Sequence, residues 1–407
     1  MRGRWGQVGL VVLAVLWTFA FGSLAETWIQ YYEHDHEVHV GTVLVMGDEY
    51  WLVGTSVASL EPPSAGIVVF HVQLGGDLLY ATSYHWDGVR SAADALVTDE
   101  GNILFAGQTD QYGAVGTDMY VLTTDGSGQT LAGWAFGESL EESATRILLG
   151  SQGDFFIVGN QMNPDDVIAD AETPGYGGLD GRTAPYAVRV QPGGSPVWKE
   201  SYWSEGNVVV FDAAATSTGG CYLLSTVYGF PDAADAIRLD KLDDQGTIMW
   251  SRTFDEGNRK GYALLRLSNE QLMIAGAQTP SDGGASQALL ILLDATGREV
   301  WSRTYGSADK IAALHALVET EDGSIMAAGT QFAADVQYQD DVYVVCVNAD
   351  GEVQWEKTHA TGRHVMVEAV RQLEGGDLLI AGGGAIAGER FQGWLMRLNP
   401  EDAAGAP

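Results

Sequence analysis

The chain has 407 residues, of which 54 are acidic and 21 basic, giving a formal charge of −33 with histidine neutral. A surface that negative repels phosphate backbones and anionic lipid, which argues against nucleic acid and membrane-surface partners and suits cations, a basic partner or solubility alone. Two cysteines, Cys221 and Cys346, are too few for a disulfide-stapled scaffold, so the core must hold the fold.

In chain order, residues 1–25 read as a secretory signal. Arg2 and Arg4 precede an apolar run from Val8 to Phe21, and Ser23 and Ala25 are the small residues ahead of a cleavage point before Glu26. An uncleaved anchor is the alternative, although the run is short for a bilayer span. The expected location is extracytoplasmic, either periplasmic or secreted, with no membrane span after cleavage. Next comes "YYEHDHEVHV", residues 31–40, which crowds His34, His36 and His39 among Glu33, Asp35 and Glu37 in a protein of 8 histidines. In an extended chain His34 and His36 point to one side, as two zinc ligands can, so they are the candidate metal ligands. A third ligand would have to come from another loop, such as His85. The plainer reading is a polar crossover loop.

Beyond this point an apolar run ending in glycine recurs, as in "EYWLVGTS", "NILFAGQT" and "DLLIAGGG". The glycines are Gly54, Gly107, Gly159, Gly276, Gly329 and Gly382, with Ser225 filling the vacant place. They stand about fifty residues apart except across an insertion between Gly159 and Ser225. A second register holds Trp28, Tyr80, Ala132, Trp198, Trp250, Trp301 and Trp355, followed four residues later by Tyr32, Tyr84, Phe136, Tyr202, Phe254, Tyr305 and His359. Within a unit, turn signals such as "EDG" and "ADG" separate four apolar, β-rich runs, as hairpin-connected strands require.

These spacings predict an all-β fold, a seven-bladed β-propeller over residues 26–400 with four antiparallel strands per blade and a tail at 401–407. The last unit ends before its Trp-bearing strand, while "ETWIQYY" near the start is an orphan strand of that type. The N-terminal strand is therefore expected to complete the last blade and close the ring. The Trp and aromatic registers are expected to pack between blades.

The turn followed by Trp, as in "LDATGREVW", resembles the Trp-docking repeat of quinoprotein-type propellers. The wider unit, "DVYVVCVNADGEVQWEKTH" with "DGSIMAAGT", is similar to the repeat of secreted bacterial β-propeller proteins, mostly without an assigned activity. The resemblance implies fold more than function. The chain lacks an adjacent-cysteine pair and a second domain, departures from quinoprotein dehydrogenases that disfavour a bound quinone.

Function is sought on loops. Long segments such as "SVASLEPPSA", "TPSDGGAS" and the insertion all fall on one face, where Asp110, Asp170, Asp232, Asp335, Asp340 and Asp341 mix with Tyr112, Tyr176, Tyr228, Phe230, Phe332 and Tyr338. Aromatics among hydrogen-bonding groups suit a glycan or peptide, and clustered carboxylates suit calcium, although no D-x-D-x-D-G loop is present. Just before the innermost apolar run the units place Gly41, Asp94, Arg146, Asp212, Tyr262, His315 and Glu368. Asp94, Arg146, Asp212, Tyr262, His315 and Glu368 are the candidate ligand-binding residues at the channel mouth. The plainer reading is a network satisfying strand ends.

No catalytic residue is assigned, because no H-E-x-x-H or G-x-S-x-G string occurs. The expectation is a secreted, monomeric, non-catalytic propeller that binds a protein, peptide or glycan through its long-loop face. No cofactor is expected, with calcium or zinc as the alternative. The competing readings are a polysaccharide lyase or hydrolase acting at the channel mouth, and a structural envelope protein.

Overall fold

Alternating apolar runs form strands here, and tight turns between them commonly hold a glycine at positive φ, as at Gly76 (φ 95°) and Gly351 (φ 75°); Glu270 (φ 69°) takes that place between Asn258–Arg266 and Leu272–Thr279. The computed structural model describes residues 27–400, apart from 61–62, 86–87, 112–115, 139, 151–152, 168–180, 230–233, 334–338 and 387. The expected leader at 1–25 and tail at 401–407 lie outside the described residues, as do Tyr112, Asp170, Tyr176, Phe230, Asp232, Asp335 and Tyr338.

The described elements are all strands, and among them no helix is long and apolar enough to cross a membrane. Five four-stranded antiparallel sheets follow one another along the chain, over residues 37–84, 94–136, 141–201, 207–254 and 258–305. A seven-stranded sheet contains the rest. In it the long strand Val353–Gln372 is divided between two neighbours. Its first half pairs with Asp340–Val347 and its second half, from His364 on, with Leu378–Ala385. At the far edge Trp28–Tyr32 pairs antiparallel with Gln392–Leu398, from Trp28↔Arg397 to Tyr32↔Gly393. The first and last strands of the described chain therefore share one sheet.

Each sheet lays its first strand beside the first strand of the next. The contacts run from Glu37–Met46 through Asp94–Val97, Glu141–Leu149, Asn207–Ala215, Asn258–Arg266 and Lys310–Glu319 to Val353–Gln372, and return to Glu37–Met46. This is the radial arrangement of a β-propeller, with the inner strands surrounding the axis.

The Trp and aromatic registers fasten sheet to sheet. Tyr32, Tyr84, Tyr202 and Tyr305 each donate their hydroxyl to the carbonyl of the turn glycine in the next sheet: Gly76, Gly128, Gly246 and Gly351, at 3.0, 2.8, 2.7 and 2.9 Å. The rings of Trp28, Trp198, Trp250 and Trp301 lie against Gly76, Gly246, Gly297 and Gly351, where a side chain would collide with them. Ala132 has no ring to offer, and Trp134 takes that place against Gly194. Cys221 and Cys346 are buried free thiols.

The repeated strand glycine answers to a β-bulge. In the first strand of six sheet segments one extra residue interrupts the pairing: Gly41, Thr145, Phe211, Tyr262, His315 and Glu368. The bulge pushes the carbonyl two residues earlier toward the second strand. For Gly54, Gly159, Gly276, Gly329 and Gly382 that carbonyl, of His39, Ser143, Lys260, Ala313 and Met366, occupies the space a Cβ would need. Gly382→Ala should therefore displace the bulge that carries Glu368, at a cost of about 1–3 kcal/mol. Denaturant unfolding would check this, and an unchanged midpoint would mean the carbonyl yields without penalty.

Candidate functional site at the central channel

The bulges decide which side chains reach the axis. Tyr262, His315 and Glu368 are themselves the extra residues, whereas Asp94, Arg146 and Asp212 occupy the next, paired position. The single ring expected from sequence is thus corrected to two levels. The cause is one residue: Asp94, Arg146 and Asp212 stand one position nearer to their strand glycine than the other three do, so sequence alignment merged a bulge position with its successor.

At the bulge level, Tyr262 and His315 stack with ring centroids 4.5 Å apart and an interplanar angle of 13°. Phe211 meets Tyr262 edge-on at 5.3 Å and 85°. These side chains, with Glu368, line a funnel of about 1020 Å³. Its walls include Val40, Ala312 and Val365, which lie toward the beginnings of the inner strands, so it opens on the long-loop face. A second cavity of about 300 Å³ faces the other way and is bounded by Leu96, Leu148, Leu265, Leu317 and Arg371. Arg146, His315 and Glu368 border both cavities and form the partition between them.

The second level is framework. Asp94 accepts the amides of Ala95 (2.9 Å) and, across the sheet boundary, Ile147 (3.1 Å). Asp212 accepts those of Ala213 (2.8 Å) and Leu264 in the next sheet (2.7 Å). Arg146 Nε donates to Asp212 Oδ1 at 2.6 Å. Burial alone would lower the pKa of the Arg146 guanidinium, but the carboxylates of Asp212 and Asp94 outweigh it and the net shift is upward. Burial raises Asp94, opposed by Arg146, the Ile147 amide, Arg371 and the Ala95 amide.

Glu368 and His315 differ from these. Neither makes a hydrogen bond or ion pair with the described residues, and they occupy matching bulges on neighbouring inner strands. Burial pushes the Glu368 carboxyl up to about 7, with Arg146 pulling the other way, and pushes His315 down to about 4. The two have opposite linkage signs. Glu368 is raised from an ordinary value of 4.5, so its contribution to stability is full below that pH and is lost as pH rises through about 7. His315 is lowered from 6.5, so its contribution is full above that and is lost as pH falls through about 4. Between pH 5 and pH 8, Glu368→Gln should therefore gain stability relative to the parent protein. Thermal unfolding midpoints across that range check this, and a constant difference would contradict it.

Arg371, His364 and Phe391 escaped sequence reasoning, in which Asp340 is only one loop carboxylate among several. Arg371 reaches Thr42 Oγ1 (3.3 Å) and the Val370 carbonyl (2.9 Å), with its surface open to channel water. Its one sequence signal is a charge beside an alternating inner strand. Asp340 accepts the Val365 amide at 3.2 Å and contacts Nδ1 of His364, which it raises in pKa by that hydrogen bond. Both line the funnel. The Phe391 ring lies 5.7 Å from that of His364 and 5.4 Å from that of His39.

His34 and His36 lie apart from this floor. Their rings are 5.7 Å apart, and His34 Nδ1 accepts the His36 amide at 3.2 Å, which leaves only Nε2 of His34 open to a ligand. Among the described residues no group of three or more His, Cys, Asp or Glu side chains is arranged to hold a metal ion.

No family model matches the chain, and no curated protein matches it in sequence. Among solved structures it is similar to a protein of unknown function from Dyadobacter fermentans, with 12% identity over 91% of this chain and 97% of that one and a TM-score of 0.50. The uncomplexed acylaminoacyl peptidase of Pyrococcus horikoshii also matches, with 12% identity over 90% of this chain and 53% of that one and a TM-score of 0.50. The chain thus spans about half the peptidase's length. The β-propeller domain of the Trilobed protease from Pyrococcus furiosus matches at 11% identity over 88% of this chain and 93% of that one, with a TM-score of 0.47. At such identities the likeness concerns fold alone; the all-β propeller arrangement is read from the sheets and inner-strand contacts of this chain.

Proposed function

We propose that the protein is a seven-bladed propeller that works outside the cytoplasm as a monomeric binding protein, taking a polar group of a peptide, protein or glycan into the funnel on its long-loop face. The observation that carries the binding reading is the pair Glu368 and His315, which make no hydrogen bond or ion pair with the described residues at the funnel floor, while Asp94, Arg146 and Asp212 are engaged by backbone and by each other. Glu368 and His315 are both half-buried, and polar side chains that no protein group engages on a concave surface mark where a ligand group would sit. Tyr262 and Phe211 supply the apolar side of the same floor.

The count of seven is supported by the divided strand Val353–Gln372, read as the outer strand of the sixth blade and the inner strand of the seventh, with Trp28–Tyr32 as the seventh blade's outer strand. The turn-and-Trp contacts support the likeness to Trp-docking repeats. The binding reading requires no cofactor. Peptide and glycan arrays probed with the parent protein, Glu368→Gln and His315→Ala test it. Ligands retained by the parent should be lost by both variants, and an unchanged pattern would move the site out of the funnel.

A hydrolytic or lyase reading has one observation in its favour. His364, held at Nδ1 by Asp340, stands on the funnel wall as an oriented base could. Turnover of an array ligand that is lost in His364→Ala, with binding kept, would favour that reading.

A further inference from the structure

The charges around the floor do not balance. Two guanidiniums, Arg146 and Arg371, and three carboxyls, Asp94, Asp212 and Glu368, face the smaller cavity. Arg146 is matched by Asp212 at 2.6 Å and acts on Asp94, which also feels Arg371. Glu368 is the surplus carboxyl. It lies on the funnel side, where no hydrogen-bond donor among the described residues reaches it. The neighbouring inner strand carries His315, from which the stacked Tyr262 and the edge-on Phe211 continue around the same funnel, and such rings favour an alkyl stem that carries a positive head. The whole chain, at −33, draws cations toward any such mouth.

We infer that the ligand group taken up at the floor is a primary ammonium on a short alkyl stem, such as a lysine side chain presents, with Glu368 as its counter-charge. This rests on the funnel being the binding site and names the chemical class that it accepts. The stem would lie along Phe211 and Tyr262 while the ammonium pairs with the Glu368 carboxylate. Pairing requires that carboxyl to be ionised. The titratable or charged groups facing Glu368 are Tyr262, His315, His39, Asp340 and His364 on the funnel side, and Arg146, Asp94, Asp212 and Arg371 on the other. His315 is held neutral by burial and the two arginines face the two aspartates, which leaves Glu368 and, on the funnel wall, His364, raised by its hydrogen bond to Asp340, as groups whose ionisation follows pH near neutrality; loss of the pH dependence in Glu368→Gln assigns it to Glu368.

The test is a calorimetric titration of the purified protein with three probes of one size: butylammonium, 1-butanol and butyrate, at pH 6 and pH 8. Butylammonium should bind at least about tenfold more tightly than either other probe. Its affinity should rise about tenfold from pH 6 to pH 8, as a carboxyl titrating near 7 passes from mostly protonated to mostly ionised. Glu368→Gln should lose both preferences while still unfolding cooperatively at pH 6 and pH 8. Equal or tighter binding of butyrate, ammonium binding unchanged in the variant, or no binding of butylammonium would overturn the inference. If butanol or butyrate binds instead and His315→Ala removes it, the funnel stands and only the cation class falls. If the arrays also return no ligand sensitive to Glu368 or His315, both fall.

Discussion

Removal of residues 27–33 should leave a chain that is unfolded, or aggregated, at temperatures where the intact protein is folded. Among the described residues, Trp28–Tyr32 is the one strand that pairs with the outer edge of Gln392–Leu398, a strand whose Trp394, Leu395, Met396 and Leu398 are at most 1% exposed. Tyr32 is 3% exposed, packs on Phe70 at 5.9 Å and bonds to Gly76, so it ties the last sheet to the first. Trp28 packs against the core shared by those two sheets, and Ile29 and Tyr31 against the core of the last. Losing a single large buried side chain costs about 2–5 kcal/mol, and losing several approaches the whole stability of a domain, about 5–15 kcal/mol. The uncovered edge would also be long and apolar, the kind that recruits other chains. Soluble yield and thermal unfolding read the effect, and a synthetic peptide of residues 26–33 added in trans should restore part of it. A truncated protein that melts within a few degrees of the parent would contradict the closure.

Arg146→Ala should be the most damaging single substitution in the channel, costing about 3–5 kcal/mol, because it leaves Asp212 buried without its counter-charge and weakens the support of Asp94. The penalty should depend on pH in a stated direction. Without the guanidinium, which opposes the upward push of burial on Asp94, the folded-state pKa of that carboxyl rises further, so the variant is least impaired where it is protonated and loses stability as pH increases toward 8. Denaturant unfolding at pH 5 and pH 8 measures both. Replacing Arg146 by Met and Asp212 by Leu together should recover much of the loss, since a buried pair exchanged for apolar volume is often neutral. No recovery in the double variant would show that Asp212 matters for the amides of Ala213 and Leu264 more than for the arginine.

The repeats made the architecture legible because two independent signals share one period. The strand glycines answer to a bulge carbonyl, and the Trp and Tyr registers answer to a turn glycine in the neighbouring sheet. Both requirements are local to a unit and its neighbour, so they recur in sequence. The level at which a polar side chain meets the channel was less legible. A bulge inserts a residue without changing composition, so Asp94 and Glu368 align in sequence yet stand at different levels. The division into framework and free groups was not legible at all. It depends on bonds between sheets about fifty positions apart, Asp94 to the Ile147 amide and Asp212 to the Leu264 amide, which no spacing within one unit encodes. Asp340 counted as one loop carboxylate among many until the fold brought His364 to it. Of the histidine cluster that drew attention by composition, His39 reaches the funnel wall, while His34 and His36 lie apart from it and His34 already accepts a backbone amide.

The binding reading stands or falls on Glu368 being a carboxyl without a partner at the funnel floor. A ¹³C NMR titration of the glutamate side-chain carboxyls, in the parent protein and in Glu368→Gln, measures this directly. One carboxyl should titrate near pH 7 in the parent and be missing from the variant, distinct from that of Glu142, which burial raises to about 6. Spectra in which every glutamate that disappears with the substitution titrates at ordinary acidic pH would mean that Glu368 is solvated or paired, and would contradict the account.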